Sequence, residues 1–411
     1  MVLKKTKNKV AAAILGLTVV YWVGDSMNLF DPWEEFDIPQ LPTQYMKRAE
    51  RKTYNTTERM ILPDATLFFG RKTDKYTGPI NLDQPARAFT LNTVENSFNF
   101  LPNQRDDLQY AFTARSRLID NMVYSVVIGS NPADHLDKDF QLYNIQVPSG
   151  RFEPRSMPAL SDDADPIYHY EPLFIDQRHG YLLPDQRSIF FETYDGGHTW
   201  TERHLPTGYT RLDHFNRYIL KSFIHQPTTN DIFLSGYFPA VGEKPGYSPI
   251  YRLSADNTGT QGWREVARLE GYAIRSLRFL DNGDLLILAF EGERPERGSD
   301  SRSAQVLRWD GEDFEHLHDF GVFTLFRPQP NTNLGQEYFV TGPGGLIVIN
   351  GRSFKNERGD LPVYNVSYVS HDYGRSWERL NNGTATGPVW FDGTSGYLYR
   401  DLPFSTSRRR P

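Results

Sequence analysis

Two carboxylates, Asp195 and Asp372, stand in strings of nearly the same pattern. One reads Phe191-Glu-Thr193-Tyr-Asp195-Gly-Gly197-His-Thr199-Trp200, the other Tyr368-Val-Ser370-His-Asp372-Tyr-Gly374-Arg-Ser376-Trp377. A looser copy runs Ser254-Ala-Asp256-Asn-Thr-Gly259-Thr-Gln-Gly-Trp263, and a fourth runs Asp310-Gly311-Glu-Asp-Phe314 with Phe in the Trp place. Paired carboxylates are the equipment of glycoside hydrolysis. The same residue types also build a hairpin turn. There the Asp accepts backbone N–H bonds, Gly197 and Gly374 take positive φ, and Trp200 and Trp377 bury apolar area on their own sheet. Recurrence at regular spacing favours the turn, so these Asp residues are expected to be structural and no catalytic residue is assigned.

Other reactive side chains are sparser. Asp162, Asp163 and Asp165 crowd one loop but lack the spacing and final Glu of a calcium-binding EF-hand. His316 and His318 stand two apart, which on a strand puts both on one face. Two imidazoles alone do not make a zinc site, and no metal or cofactor is expected. Gly342-Pro-Gly344-Gly345 reads as a strand-to-strand turn rather than a phosphate loop. No G-x-S-x-G elbow is present, and the chain contains no cysteine, which excludes disulfides, thiolate metal sites and a Cys nucleophile.

The elements that must position these residues are short β-rich runs: 66–69, 122–128, 188–193, 232–237, 285–290, 346–350 and 363–370. Gly, Pro, Asn and Asp clusters divide them, as in a sandwich, barrel or propeller. The landmarks Trp200, Trp263, Phe314 and Trp377 recur at the spacing of one four-stranded blade. The predicted fold is all-β, a β-propeller of about six blades, alternatively seven. Four of them span about 174–204, 221–270, 274–320 and 326–380. Residues 64–148 supply one or two more, and 388–391 with 396–400 the final strands. Strands from both ends of the chain would remove the open sheet edge.

The repeated Ser/Thr-x-Asp-x-Gly-x-Ser/Thr-Trp string resembles the Asp-box of sialidases, sortilin-like receptors, xyloglucanases and the photosystem II stability factor. The resemblance covers roughly residues 170 to 400. It implies that the hairpin lies at the outer rim of a blade, far from the central pocket. A sialidase would add three arginines on the sugar carboxylate, a Tyr–Glu nucleophile and an Asp acid/base. Its Phe/Tyr-Arg-Ile-Pro motif is missing ahead of the first repeat; Phe326-Arg327-Pro328 is the nearest string. Arg115, Arg117, Arg187, Arg275 and Arg278 lie in or near predicted strands but carry no motif.

Aromatics make up 14% of the 411 residues, which suits many short strands. A formal charge of −6 argues against a nucleic-acid partner. Lys4, Lys5, Lys7 and Lys9 precede an uncharged run, 10–24, closed by Tyr21-Trp22-Val23-Gly24 rather than a small-residue cleavage site. We read 1–24 as a signal-anchor helix, 25–60 as a linker, 61–405 as the propeller and 406–411 as a solvated basic tail. The run is short for a full membrane span. The expected place is the outer face of the cytoplasmic membrane, single-pass, with the propeller in the periplasm, or secreted if the segment is cleaved. With catalytic motifs missing, the expected role is a non-enzymatic protein-binding module, an assembly factor or immunity-type binder. The alternative is a sialidase-like glycosidase or a lectin. The long polar loops 240–248 and 291–303 are the candidate recognition elements.

Overall fold

The computed structural model describes strands β1 (Glu34–Phe36), β2 (Tyr54–Ile61), β3 (Thr66–Thr73) and β4 (Ala86–Asn92), then most of 97–401 between its longer connections, and 406–409. Strands β5 (Ser97–Phe100), β6 (Gln109–Arg115), β7 (Met122–Ser130), β8 (Lys138–Gln146) and β9 (Phe152–Arg155) complete a sheet with β2, β3 and β4. A second sheet holds β10 (Tyr170–Phe174), β11 (Gly180–Pro184), β12 (Ile189–Thr193) and β13 (Thr201–His204). A third holds β14 (Leu220–His225), β15 (Ile232–Gly236), β16 (Tyr247–Leu253) and β17 (Arg264–Glu270).

The fourth begins with β18 (Tyr272–Phe279), β19 (Leu285–Glu291), β20 (Arg302–Trp309) and β21 (Phe314–Leu325). It continues through β22 (Phe339–Thr341), β23 (Ile347–Phe354), β24 (Pro362–Ser370) and β25 (Glu378–Asn381). Last come β26 (Val389–Asp392), β27 (Tyr397–Asp401) and β28 (Thr406–Arg409), joined on the outside by β1. The seven strand runs expected from the sequence all fall on or overlap strands.

The chain is an all-β propeller built of four-stranded meanders, and the described residues form five hydrogen-bonded sheets where six or seven blades were expected. Three of the sheets have four strands, and each of the two eight-stranded sheets joins two successive meanders at a paired edge. One junction is a single parallel pairing, Ala86 with Gln109; the other pairs Phe323–Leu325 with Gly351–Ser353. Such edge contacts are backbone to backbone and leave no trace in side-chain pattern. The expected domain limits shift as well. Part of the 25–60 stretch is strand β1, which pairs with β28 from the stretch expected as a tail: Glu34 lies opposite Arg408 and Phe36 opposite Thr406. That pairing covers the edge of the last sheet, as closure requires. The 10–24 run lies outside the described residues, and among those described no helix is long and apolar enough to cross a membrane.

The core sits between sheets rather than inside one. Tyr124, Val126 and Leu142 of one meander pack on Phe174, Leu182 and Phe191 of the next, with Tyr124 and Phe174 stacked at 3.5 Å. Strands β11 and β15 are buried at every position, because neighbours cover both faces; this erases the two-residue alternation. Hydroxyls fasten successive first strands near the axis. Ser222 Oγ accepts from Leu277 N at 3.0 Å, and Thr341 Oγ1 donates to Phe279 O at 2.9 Å. At the last junction the Val389 N–H donates to Ser367 Oγ and Asn350 Nδ2 donates to Val389 O.

Candidate functional site

The repeated turn motif is fully visible between β12 and β13. Asp195 Oδ1 accepts from His198 N at 3.0 Å, Thr199 N at 2.9 Å and Thr193 Oγ1 at 2.8 Å; Oδ2 accepts from Thr199 Oγ1 at 2.7 Å. Thr193 Oγ1 in turn accepts from Gly197 N at 2.9 Å, and Gly197 has φ +87. The hydrogen bonds from Thr199, with those from Thr193 and His198, hold the Asp195 carboxyl well below the usual carboxylate range. The second copy repeats the arrangement: Ser376 N and Oγ donate to Asp372 at 2.8 and 2.6 Å, and Gly374 N donates to Ser370 Oγ at 2.8 Å. Burial raises the Asp372 carboxyl, but its hydrogen bonds outweigh that and leave it lowered. Asp310 accepts from Glu312 N and Asp313 N, both at 2.9 Å, and Gly311 has φ +113. An acid/base carboxyl must exchange its proton near the working pH; these groups stay ionised and build turns. Asp195→Ala should lower stability by about 2 kcal/mol, read as a shifted urea midpoint, with no selective loss of any binding activity.

The rim tryptophans reach further than their own sheets. Trp200 Nε1 donates to Ser156 O of the preceding sheet at 2.8 Å, and Trp263 Nε1 donates to His204 O at 3.0 Å. Trp377 donates to Gly374 O in its own turn and meets Phe320 of β21 edge-on at 5.3 Å. Phe314 packs beside Trp309 at 6.4 Å. Of the loose third copy, Ser254 and Trp263 are described, while Asp256 and Gly259 lie outside the described residues.

An ionisable cluster that sequence reasoning missed surrounds Glu192. Its carboxylate, 7% exposed, accepts from Tyr194 Oη at 2.8 Å and Arg203 Nε at 3.0 Å, and His179 Nε2 lies 3.2 Å away. Burial works against the charge, but the bonds from His179, Tyr194 and Arg203 prevail and bring the pKa down to about 2. Burial and Glu192 push the Tyr194 phenol up to about 12. A Tyr–Glu pair is what a sialidase would use as nucleophile, yet this phenol is held protonated and sits in a rim turn between β12 and β13. The one available signal was a Glu inside an apolar strand, Ile189-Phe-Phe-Glu192. A carboxyl lowered on folding adds stability above its unfolded pKa near 4.5 and loses it as pH falls toward 2. The stability gap between the parent chain and Glu192→Gln should therefore be wide at pH 7 and shrink by pH 3, measured by urea unfolding.

A second polar network joins Tyr110, Asp139, Gln141 and Tyr143 between β6 and β8. Tyr110 Oη donates to Asp139 at 3.2 Å, Gln141 Nε2 donates to the same carboxylate, and Tyr143 Oη donates to Gln141. Desolvation raises both phenols. The histidine pair expected on one face is separated by a β-bulge at Leu317, since Val306 pairs with His318 but Leu307 with His316. His318 stacks on Trp377 at 5.6 Å, whereas His316 is exposed. Among the described residues no group of three metal-ligating side chains occurs. Arg278 spends its guanidinium on Phe339 O and Leu277 O, and Arg275 is half-buried on the same strand. Side chains of Arg115, Arg117, Arg187 and Arg327, and the acidic loop 161–166, lie outside the described residues.

Strand direction sorts the connections into two ends. Several turns joining first to second or third to fourth strands are tight, as at 175–179, 226–231, 280–284, 310–313 and 371–377, although the third-to-fourth connection from β16 to β17 takes up 254–263. At the opposite end lie the strand ends that flank residues 160–169, 207–219, 239–244, 292–301 and 326–338, which are themselves outside the described residues, and there Gly271 alone joins β17 to β18. Of the two loops singled out from the sequence, 240–244 and 292–301 lie outside the described residues.

No protein-family model matches the sequence, and no curated protein matches it. Solved structures do. The chain is similar to the GH74 xyloglucanase from Xanthomonas campestris at 12% identity and TM-score 0.48, over 92% of this chain and 53% of that one. It is similar to the β-propeller domain of the Trilobed protease from Pyrococcus furiosus at 11% and 0.48, over 86% and 93%. It is also similar to YCF48 from Cyanidioschyzon merolae at 11% and 0.45, over 92% and 98%. The chain spans about half the length of the xyloglucanase, and 50% of a puromycin hydrolase that it also resembles. What it shares with these proteins is the β-propeller architecture already given by its own sheets.

Proposed function

We propose that this chain is an Asp-box propeller that acts as a non-enzymatic protein-binding module, tethered by the 10–24 segment to the outer face of a cytoplasmic membrane. The observation that carries the reading is that the motif carboxylates Asp195 and Asp372 are spent on holding hairpin turns. That leaves the polar stretches between strands, such as 292–301, as the segments a rigid propeller offers a partner. An assembly factor and an immunity-type binder both fit such a platform.

Affinity purification of the full chain from detergent-solubilised membranes should recover one stoichiometric protein partner. Replacing 292–301 with a short Gly-Ser linker should release it without lowering the melting temperature. Consistent recovery of the chain alone, together with turnover of a sialoside or other glycan, would replace this reading with a glycan-acting one.

A further inference from the structure

The two intact turn motifs carry different chemistry at matching places. Thr193 corresponds to Ser370 and Trp200 to Trp377, and strand register extends the match. Gly180 lies opposite Thr193 as Ile347 lies opposite Ser370, so His179 corresponds to Leu346 and Tyr181 to Val348. By the same count Glu192 corresponds to Val369, Tyr194 to His371 and Arg203 to Leu380. The second copy packs Leu346, Val348, Val369 and Leu380 in one apolar cluster. In the first copy the Glu192 carboxylate instead binds Arg203 at 3.0 Å, with His179 Nε2 at 3.2 Å.

The hairpin does not need the polar set, since Asp372 builds the same turn over an apolar one. Nor does stability call for it, because a buried ion pair seldom outdoes well-packed apolar side chains of similar size. What the polar set achieves is placement. Glu192 grips Tyr194 Oη and Arg203 Nε, and the Tyr194 ring lies nearly flat on His179 at 4.5 Å. Yet Tyr194 is 52% exposed and the Arg203 side chain 44%. The Trp263 indole bonds to the carbonyl of His204, the residue after Arg203, and meets Phe190, which lies opposite Arg203, at 6.0 Å. Tyr, Arg and Trp dominate protein–protein hot spots, and side chains fixed before contact lose less entropy on binding.

We propose that Tyr194 and Arg203, braced by Glu192 and His179, form a docking point for a partner protein that presents an Asp or Glu side chain beside an apolar one. Arg203 spends Nε on Glu192, and its two Nη groups have no hydrogen-bond partner among the described residues. Parallel N–H groups of that kind fit the two oxygens of a carboxylate. The Tyr194 face turned away from His179 offers apolar contact next to it. This surface shares no residue with 292–301 and so goes beyond the module reading above.

Full-length chain in detergent micelles, with isotope-labelled tyrosine rings and arginine side chains, is titrated by NMR with acetyl-Phe-Glu-amide and its neutral twin acetyl-Phe-Gln-amide. The peaks missing from Tyr194→Phe and Arg203→Lys assign the two reporters. The Glu peptide should shift both signals saturably, and the Gln peptide should bind about tenfold more weakly, the worth of one charge-assisted hydrogen-bond pair. Arg203→Lys keeps the charge without the fork, and should weaken binding of the Glu peptide several-fold as read at the Tyr194 ring. Grafting the apolar set, His179→Leu, Glu192→Val and Arg203→Leu with Tyr181→Phe, should keep the melting temperature and abolish the response at Tyr194.

Equal binding of the two peptides, no saturable shift at either reporter, or a response that survives the graft would overturn the docking point. Tighter saturation by a methyl sialoside would assign the site to a sugar and overturn it as well. If the graft unfolds, Arg203→Lys decides, and unchanged affinity for the Glu peptide overturns the proposal. Each of these results leaves the reading of 292–301 where it stands.

Discussion

Trp200→Ala should lower unfolding stability by about 3 kcal/mol, the low end of the range for removing a large aromatic, because the indole is only half-buried. Two losses combine. The ring leaves the cluster of Tyr124, Leu142 and Phe174, which it meets edge-on through Phe174 at 6.3 Å. Its N–H also leaves Ser156 O, so that the β12–β13 turn is released from the sheet before it. Trp200→Phe should recover the packing but not the bond, and so lie between the two. Urea unfolding at neutral pH measures all three proteins; an alanine variant with the parent midpoint would show that the rim tryptophan is dispensable.

Gly374→Ala should cost a similar amount, about 3 kcal/mol, by a different route. The residue has φ +83, where an L side chain is strained, and a Cβ there would lie 2.7 Å from Leu317 Cδ1. Leu317 is the bulged residue of β21, wedged against the apolar cluster that also holds Trp377. Leu317→Ala in the same chain should return part of the loss by making room, while the strain of the positive φ persists. The double variant measured against both singles separates the two terms. Strict additivity would place the whole cost in the backbone.

Both expectations begin from turns that were legible in sequence. The Ser/Thr-x-Asp-x-Gly pattern encodes hydrogen bonds between residues at most four apart, so Thr193, Asp195, Gly197 and Thr199 specify their hairpin with little outside help. Strand positions were legible for the same reason, since Gly, Pro, Asn and Asp punctuate the chain locally. The limits expected for four of the repeats, such as 221–270, lie close to the strand groups that fold, here Leu220 to Glu270.

What lay outside the sequence depends on partners far along the chain. The Glu192 cluster takes its donors from three different strands or turns, none marked by spacing. His316 and His318 alternate as expected on paper, but one bulged residue sends them apart. Nothing in the sequence distinguishes meanders that stay separate from those whose edges fuse, so a count near six or seven became five sheets.

The sequence by itself determined an all-β repeat chain with self-contained hairpin turns, because each turn's donors and acceptors lie within a few residues. Only the tertiary structure decided how the ring closes and which side chains gather around Glu192. Closure is set by β1 pairing with β28 across most of the chain's length. Backbone pairing of that kind uses the same N–H and C=O groups in every residue, and local sequence cannot announce it.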